Sequence, residues 1–493
     1  MVYYPPLCIK KPKGGVAVNN EAAQFKKMTE TPVKPLIASL AVPTIISMLI
    51  TAIYNTADTF FVAKISTAAT AAAGLVFSLM TLVQAFGFTF GLGAGSLISR
   101  LLGRREADAA ERFACSALAA GIVLGILFAV FGNLYLEPIV RLLGADDGNV
   151  ADAMAYGKYI LIGMPASLSS FILNNLLRAE GKAKFALIGI MSGGILNVAL
   201  DPLLIFTFKM GTAGAAVATA VCQLISCIVL LTAYFRGKTI LKLRIRQVSL
   251  KPRTYGAILK NGMPSLFRQG LSSIATIMLN RYAAATGALA AAAFMASEQE
   301  MASAAVAAMS IVTKVFMAIF SAVIGFGQGY QPVAGYNYGA KKFGRVREAA
   351  VFMWVVSTCI LTALGGLCFV FAPEIIHAFR DDPNVVKIGT AALRAQCICM
   401  PLLPIGVTCN MSFQSIGKPL LSTITSSMRQ GLFFIPLILI LAPTFGLTGV
   451  EYTQAAAELL TAAASLPFLL VFLRNLKRAD KKEQPEPDLT NNS

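Results

Sequence analysis

The sequence predicts an all-α integral membrane protein of twelve transmembrane helices, arranged as two pseudo-symmetric six-helix lobes. Of its 493 residues, 56% are hydrophobic and only 13% are charged, whereas a soluble domain carries about 25% charged residues. The apolar residues come in runs of roughly 18 or more, long enough to cross a hydrocarbon core about 30 Å thick. The two halves of the chain also repeat a set of glycine, proline and asparagine positions, which predicts the two lobes.

Hydropathy places six spans in each half of the chain. They are 37–62, 70–98, 113–136, 153–177, 184–208 and 212–235, then 256–285, 304–330, 348–372, 388–415, 420–442 and 447–473. The predicted domains are a cytoplasmic N-terminal tail (1–36), an N-terminal lobe (37–236), a cytoplasmic linker (237–254), a C-terminal lobe (255–473) and a cytoplasmic C-terminal tail (474–493).

The first 35 residues contain no apolar stretch of signal-peptide length. Their lysines, prolines and glycines are typical of a solvated tail. Met28 offers an alternative start, and we expect the 27 residues before it to be dispensable.

The nine cysteines lie mostly inside apolar segments without a CxxC pair, and His377 is the one histidine. This pattern favours ordinary helix packing over a metal or redox site. We expect no cofactor other than a coupling ion, which would be a proton or sodium.

Basic residues are concentrated in alternate loops. They occur in the N-terminal tail, at 100–112, 178–184, 236–260 and 341–347, and at Lys418. The other loops carry only scattered bases such as Lys64, Arg141 and Lys209. The positive-inside rule then predicts that both termini are cytoplasmic. The net charge of +18 is thus mostly a topology signal, so we expect a multi-pass protein of the cell (plasma or inner) membrane without a nucleic-acid partner.

The internal repeat relates residues 236 positions apart. It pairs Gly91, Gly93, Gly103 and Asn174 with Gly327, Gly329, Gly339 and Asn410. Pro43 matches Pro264 at an offset of 221, which predicts an insertion around 286–300. An even number of spans per half makes the repeats parallel, related by an axis along the membrane normal. Such a duplicated bundle suits alternating access across a central cleft, although a duplicated scaffold without transport is the alternative.

Two acids lie deep within predicted spans, where ionisable residues are costly and mark functional sites. Asp58 follows Tyr54 by four residues, and Asp201 follows Asn197 by four, so each pair shares a helix face. Thr219 adds a hydroxyl on the sixth span. Such a site could take up a proton or bind a sodium ion through oxygen ligands. The alternative is that the acids only hold the lobe together.

Pro43 interrupts the first span and permits a bend, so we assign it as a hinge. The second half has leucines where the two aspartates would fall. It offers instead Arg268 and Arg429, each followed by a glutamine (Gln269, Gln430), together with Lys314, Glu451 and Glu458. The two arginine–glutamine pairs are the candidate lining of a substrate cleft, with snorkelling to the interface as the alternative.

These residues resemble those of the multidrug and toxic compound extrusion (MATE) transporters. The resemblance rests on Pro43, Tyr54 and Asp58, on the repeated glycine segments, and on NVALDP followed by GAAVAT. QGYQPVAGYNYGAKK and the arginine–glutamine pairs are most similar to the MepA-like bacterial subgroup. The similarity extends from about Met28 to Lys477.

The resemblance implies a cation site in the N-terminal lobe. Its members would be Asp58, Asp201, Asn197, Thr219, Asn174 and the carbonyl of Ala215. It further implies proton- or sodium-coupled antiport of amphipathic, often cationic, organic compounds by alternating access. Acids that other branches use in the C-terminal lobe are lacking here at the seventh and tenth spans.

Two other functions stay open at this stage. A lipid-linked oligosaccharide flippase would show a basic cleft, which Arg268, Lys314 and Arg429 permit. A membrane-embedded transferase would need a catalytic cluster, which the single His377 does not supply, so we expect no enzyme. The expected partners are organic substrates and the lipid bilayer, and the expected state is a monomer.

Overall fold

The computed structural model describes residues 15–291 and 297–483, and every regular element in these two ranges is helical. The predicted all-α class is therefore confirmed. Lys10, Lys11 and Lys13 of the predicted tail, and 292–296 of the predicted insertion, lie outside the described residues.

The N-terminal lobe follows a first helix, α1 (Gly15–Glu30). Its six spans are α2 (Val33–Ala63), α3 (Thr67–Gly103), α4 (Ala107–Leu134), α6 (Val150–Ala179), α7 (Ala183–Pro202) and α8 (Gly211–Phe235). The short helix α5 (Leu136–Leu142) follows α4, and a π-helical turn, Leu203–Thr207, extends α7.

The C-terminal lobe contains α9 (Pro252–Leu289), α10 (Glu298–Gly339), α11 (Phe343–Val370), α12 (Ala372–Phe379), α13 (Pro383–Cys399), α14 (Leu403–Ile416), α15 (Pro419–Ser427) and α16 (Phe434–Glu483). A 3₁₀ turn, Met400–Leu402, joins α13 to α14, and a π-helical turn, Met428–Phe433, joins α15 to α16. Gly446, with φ of 61° and ψ of −137°, divides α16 into two spans.

Ten helical stretches in the described ranges are long and apolar enough to cross a membrane. The last of them, Pro419–Glu483, contains two spans because of the break at Gly446. Helix α9 is not among the ten, since Lys260, Arg268 and Arg281 make it less apolar. With α9 and the divided stretch included, the described residues contain twelve spans, six in each lobe.

Side chains and glycine define several helix ends. Ser66 caps α3 by accepting a hydrogen bond from the Ala69 N–H at 2.9 Å. Ser297 and Glu300 form a reciprocal capping box at the start of α10. Gly417 ends α14 in the left-handed conformation, with φ of 78°.

The internal repeat is present in backbone conformation as well as in sequence. Arg105 and Lys341, which are 236 positions apart, both have positive φ (61° and 60°), as do Gly181 and Gly417 (77° and 78°). The lobes therefore share one chain path through these two turns.

Two glycines at equivalent positions of the repeat bring the lobes into close contact. Gly103 of α3 lies against the Tyr336 carbonyl of α10, and its repeat partner Gly339 lies against the Arg100 carbonyl of α3. Removal of the Cβ atom lets the two backbones approach closely. The lobes are thus related by a pseudo-two-fold axis that passes between α3 and α10.

The named contacts between the lobes lie toward the end of the molecule that carries the basic loops, or near the middle. Arg178 donates to the Gln328 side chain, and Arg100 donates to the Asn261 side chain at 3.3 Å. Gln269 donates to Gln84 at 3.4 Å near the midpoints of α9 and α3. The lobes are therefore closed against each other at the basic end.

The range predicted as a solvated tail contains α1, which packs on both lobes. The Gln24 amide donates to the Glu180 carbonyl at 2.9 Å, and the Asn337 amide donates to the carbonyl of Met28, which is fully buried, at 3.0 Å. The tail prediction was based on composition, and composition cannot reveal a helix that is held by a few such contacts. The dispensability of the residues before Met28 stays a prediction, and the Gln24 bond argues against it.

The predicted linker is attached to the N-terminal lobe. The Glu180 carboxylate accepts from the Ile240 N–H at 2.7 Å, and Glu111 accepts from the Lys242 N–H at 3.0 Å. Burial raises the pKa of the Glu180 carboxyl from 4.5 to about 7. At the C-terminus, α16 continues to Glu483, beyond the predicted boundary at 473.

Candidate cation and substrate site

Helices α2, α7 and α8 converge because α7 has small residues where its neighbours cross it. A Cβ atom on Gly194 would lie 3.0 Å from Ile50 and 3.2 Å from Tyr54, both on α2. A Cβ atom on Gly193 would lie 3.0 Å from the Cys222 carbonyl oxygen of α8. This close packing brings the polar side chains of three helices within reach of one another.

Asp201 lies at the end of α7 with its side chain fully buried. The Asn197 amide, one turn earlier, donates to Asp201 Oδ1 at 3.1 Å and approaches Thr219 Oγ1 at 3.4 Å. Asp201 Oδ2 has no hydrogen-bond partner among the described residues. The structure thus brings Asn197, Asp201 and Thr219 together as predicted, and it leaves one carboxylate oxygen available.

Asp58 lies near the end of α2 and is bonded to a residue that sequence reasoning missed. The Tyr156 hydroxyl of α6 donates to Asp58 Oδ2 at 3.1 Å, and Asp58 Oδ1 has no partner in the described part of the chain. The position of Tyr156 near the start of the antiparallel α6 matches the depth of Asp58. That match in depth is the signal that could have identified it.

The two acids lie near a shared tyrosine. Tyr156 bonds Asp58 and lies within electrostatic range of Asp201, and the two aspartates are within electrostatic range of each other. Ala215 is fully buried in the same apolar cluster as Tyr156. The described residues contain no group of three or more His, Cys, Asp or Glu side chains that could hold a metal. The side chains gathered here offer carboxylate, hydroxyl and amide oxygens, a donor type that alkali cations accept.

Two cavities adjoin this site. One, with about 610 Å³ of empty space that includes open solvent, is lined by Tyr54, Gln84, Phe171, Thr219 and Gln223, among others. The second, with about 470 Å³ measured in the same way, shares Tyr54, Phe171, Thr219 and Gln223 and adds Asn174 and Asn197. The N-terminal lobe therefore offers both an oxygen-lined cluster and aromatic space beside it.

Asn174 has a structural bond in addition to its place in a cavity wall. Its amide donates to the Ala186 carbonyl at 2.8 Å, joining α6 to α7. Its repeat partner Asn410 makes the same bond twelve residues ahead, to the Ser422 carbonyl at 2.7 Å. The repetition in the lobe that lacks the aspartates indicates that this bond holds the helix pair together.

Pro43 is buried within α2, which continues as one helix from Val33 to Ala63. The Ser47 hydroxyl donates to the Pro43 carbonyl at 2.8 Å. The assignment of Pro43 as a hinge stays a prediction.

The polar residues of the C-terminal lobe are paired differently from the sequence expectation. Arg429 donates to Glu458 at 2.7 Å, and the Gln454 amide donates to the same oxygen at 3.1 Å. Arg268 lies close enough to Arg429 for electrostatic repulsion. Sequence reasoning treated Arg429 and Glu458 as separate candidates because 29 positions of chain separate them.

The other residues predicted to line the cleft, or to make it basic, do not join this ion pair. Gln269 contacts Gln84 across the lobe boundary. Gln430 is half-buried in the π-helical turn beside Arg429, whereas Lys314 is exposed.

Comparison with known proteins agrees with this architecture. A family model described as MatE matches residues 43–203 and 282–440. The chain is 25% identical over 463 residues to the multidrug export protein MepA of Staphylococcus aureus strain MSSA476, covering 93% of this chain and 98% of that one. Its Staphylococcus saprophyticus counterpart is 24% identical over 444 residues, covering 90% and 94% of the two chains.

Among solved structures, the fold is similar to that of a MOP superfamily transporter from Pyrococcus furiosus Vc1. The TM-score is 0.84 with 24% identity, covering 92% of this chain and 98% of that one. The description of that structure reports a reversed polarity of its binding pocket.

Proposed function

The chain belongs to the MatE family, a multi-pass membrane family, and from this we propose that it is a secondary active multidrug efflux transporter. Its substrates would be amphipathic organic compounds, often cationic. The similarity to multidrug export proteins over nearly the whole chain supports this function. We place it in the cell membrane with both termini cytoplasmic, because the basic loops all lie at one end.

The observation that carries the coupling proposal is the pair of carboxylate oxygens without partners. Asp58 Oδ1 and Asp201 Oδ2 are buried in the same site and accept no hydrogen bond from the described residues. An ionised carboxylate in a membrane interior is costly unless it is neutralised. A proton, or a sodium ion held at Asp58 and Asp201 with Asn197 and Thr219 beside them, would supply that neutralisation.

Alternating access would follow from occupancy of this site. Asp58 and Tyr54 lie on α2 and Asp201 lies on α7, and these helices cross closely at Gly194. Loading or emptying the site changes the repulsion between Asp58 and Asp201, so it changes how α2 packs on α7. Opening at the basic end would also require α3 and α10 to separate at Gly103 and Gly339.

We propose that the protein works as a monomer without an organic cofactor, with organic compounds and the bilayer as its partners and no catalytic or nucleic-acid function. A lipid-linked oligosaccharide flippase would require a strongly basic cleft. Glu458 neutralises one of the three bases expected for that cleft, Arg429, which lowers its net positive charge.

Purified protein in liposomes, with pH and sodium gradients imposed separately, tests both function and coupling ion. Export of a cationic dye should respond to one of the two gradients. Asp58→Asn and Asp201→Asn should each lower gradient-driven export at least about tenfold at normal expression, since amide replacement keeps the shape but removes the charge. Glu451→Gln is the control and should be milder. If both aspartate variants export normally while Glu451→Gln does not, the coupling site lies in the C-terminal lobe.

A further inference from the structure

The C-terminal lobe contains a charged cluster that the coupling site does not use. It consists of Arg268 on α9, Arg429 in the π-helical turn after α15, and Glu458 on α16. Two guanidinium groups and one carboxylate leave one positive charge in excess. Ionisable residues within membrane spans are rare and by default mark functional sites.

Arg429 is held in a defined position by its neighbours. Its ion pair with Glu458 is 2.7 Å long, with side-chain exposures of 16% for Arg429 and 1% for Glu458. Its guanidinium lies 4.7 Å and 4.5 Å from the ring centroids of Phe316 and Phe320, which stack on each other. A π-helical turn is common at functional sites, since it offsets side chains from the regular helix face.

Arg268 supplies the uncompensated charge. Among the described residues, no carboxylate lies within ion-pair distance of it, and its charged neighbour is Arg429. Arg268 directly precedes Gln269, whose amide reaches Gln84 across the lobe boundary. Gln84 in turn lines the cavity of about 610 Å³ in the N-terminal lobe. Arg268 is therefore one residue along α9 from the contact that joins the C-terminal lobe to the wall of that cavity.

We propose that Arg268 and Arg429 bind an anionic group, a carboxylate or phosphate, of the transported compound. This inference rests on the proposed transport function and names the residues that would bind the acidic group of a zwitterionic substrate. Guanidinium forms short, charge-assisted hydrogen bonds with such oxyanions. The Phe316 and Phe320 rings provide an apolar shelf beside the anion. The aromatic or cationic part of the same compound occupies the N-terminal cavity, next to Tyr54 and Phe171.

Glu458 acts in this scheme as a permanent counter-ion. It neutralises Arg429, so the site has room for one further negative charge rather than two. A cation without an acidic group gains nothing from the cluster, because it meets a net positive charge there. The cluster therefore discriminates between compounds that differ only in a carboxylate.

A matched pair of dyes tests the proposal: a xanthene dye with a free benzoate, which is a zwitterion, and its methyl ester, which is a cation. Binding to the purified protein in a neutral detergent is measured by fluorescence polarisation. Arg268→Gln should weaken binding of the zwitterion about tenfold, the loss of one charge-assisted interaction, and leave the ester unchanged. Arg268→Lys should retain most of the zwitterion binding. Lys314→Gln, which removes an exposed positive charge from α10, should change neither.

If Arg268→Gln weakens the binding of both dyes equally, Arg268 has a purely structural role. If it changes the binding of neither dye, Arg268 does not contact the anionic group. Either result overturns the proposal. Displacement of the zwitterion by an anionic phospholipid, but not by a second free-acid dye, would assign the site to lipid headgroups and overturn it as well. Export of the ester from liposomes tests the transport function separately. If the ester is not exported but Arg268→Gln still weakens binding of the zwitterion alone, the proposed transport function is wrong and the anion site stands.

Discussion

Substitution of Gly103 by alanine should open the basic end of the molecule. A Cβ atom there would lie 2.9 Å from the Tyr336 carbonyl carbon and 3.0 Å from its Cα atom, with the carbonyl oxygen closer still. These are backbone atoms of α10, so no change of rotamer can relieve the contact. Gly103 itself lies within helix α3 at negative φ, so alanine introduces no backbone strain. Relief requires α3 and α10, and with them the two lobes, to separate.

The magnitude follows from the cost of overpacking, which is about 1–3 kcal/mol for an inserted methyl group. This cost applies to the state closed at the basic end. The population ratio of open to closed states should therefore rise between roughly 5-fold and roughly 150-fold. Ser99, 3% exposed on the same face of α3, is a suitable reporter after Ser99→Cys in a cysteine-free background. Its alkylation rate by a maleimide should rise by the same factor.

Gly74→Ala is the matched control, because Gly74 lies in the same helix with no atom within 4 Å of an added Cβ. It should leave the alkylation rate unchanged. Gly339→Ala, the symmetry-related substitution against the Arg100 carbonyl, should behave like Gly103→Ala. Equal rates for Gly103→Ala and Gly74→Ala would refute the argument that this crossing holds the basic end closed.

Three further predictions concern stability and topology. Arg429→Gln alone should lower the free energy of unfolding by about 3–5 kcal/mol, since it leaves Glu458 buried and unpaired. The double variant Arg429→Gln, Glu458→Gln should lose less, and equal denaturation midpoints for the single and double variants would contradict this. Burial raises the Glu180 pKa from 4.5 to about 7. Between these values the folded protein keeps a proton that the unfolded chain has lost, so stability should fall as pH rises from about 4.5 to about 7. Glu180→Gln should make the melting temperature less dependent on pH over that range, and an unchanged pH dependence would exclude Glu180 as the cause. Cysteine labelling should find Arg244→Cys on the cytoplasmic side and Arg380→Cys outside, and the reverse would invert the assigned orientation.

Sequence by itself determined the class, the number of spans and the relation between the lobes. These properties depend on local composition, because a long apolar run must be a helix once it lies in lipid. The repeat could be read in the same way, since a turn with positive φ favours glycine in both halves, as Gly181 and Gly417 show. The arrangement of Asn197 with Asp201 was also accessible, because a four-residue spacing places both on one helix face.

Tertiary structure decided which polar groups meet across helices. Tyr156 bonds Asp58, Arg429 bonds Glu458, and Gln24 anchors α1 on Glu180, and none of these pairs is close in the chain. Hydropathy could not reveal them, because in a membrane both the lipid-facing and the core-facing sides of a helix are apolar. The rotation of each helix, and therefore the partner of each buried charge, is set only when neighbouring helices pack.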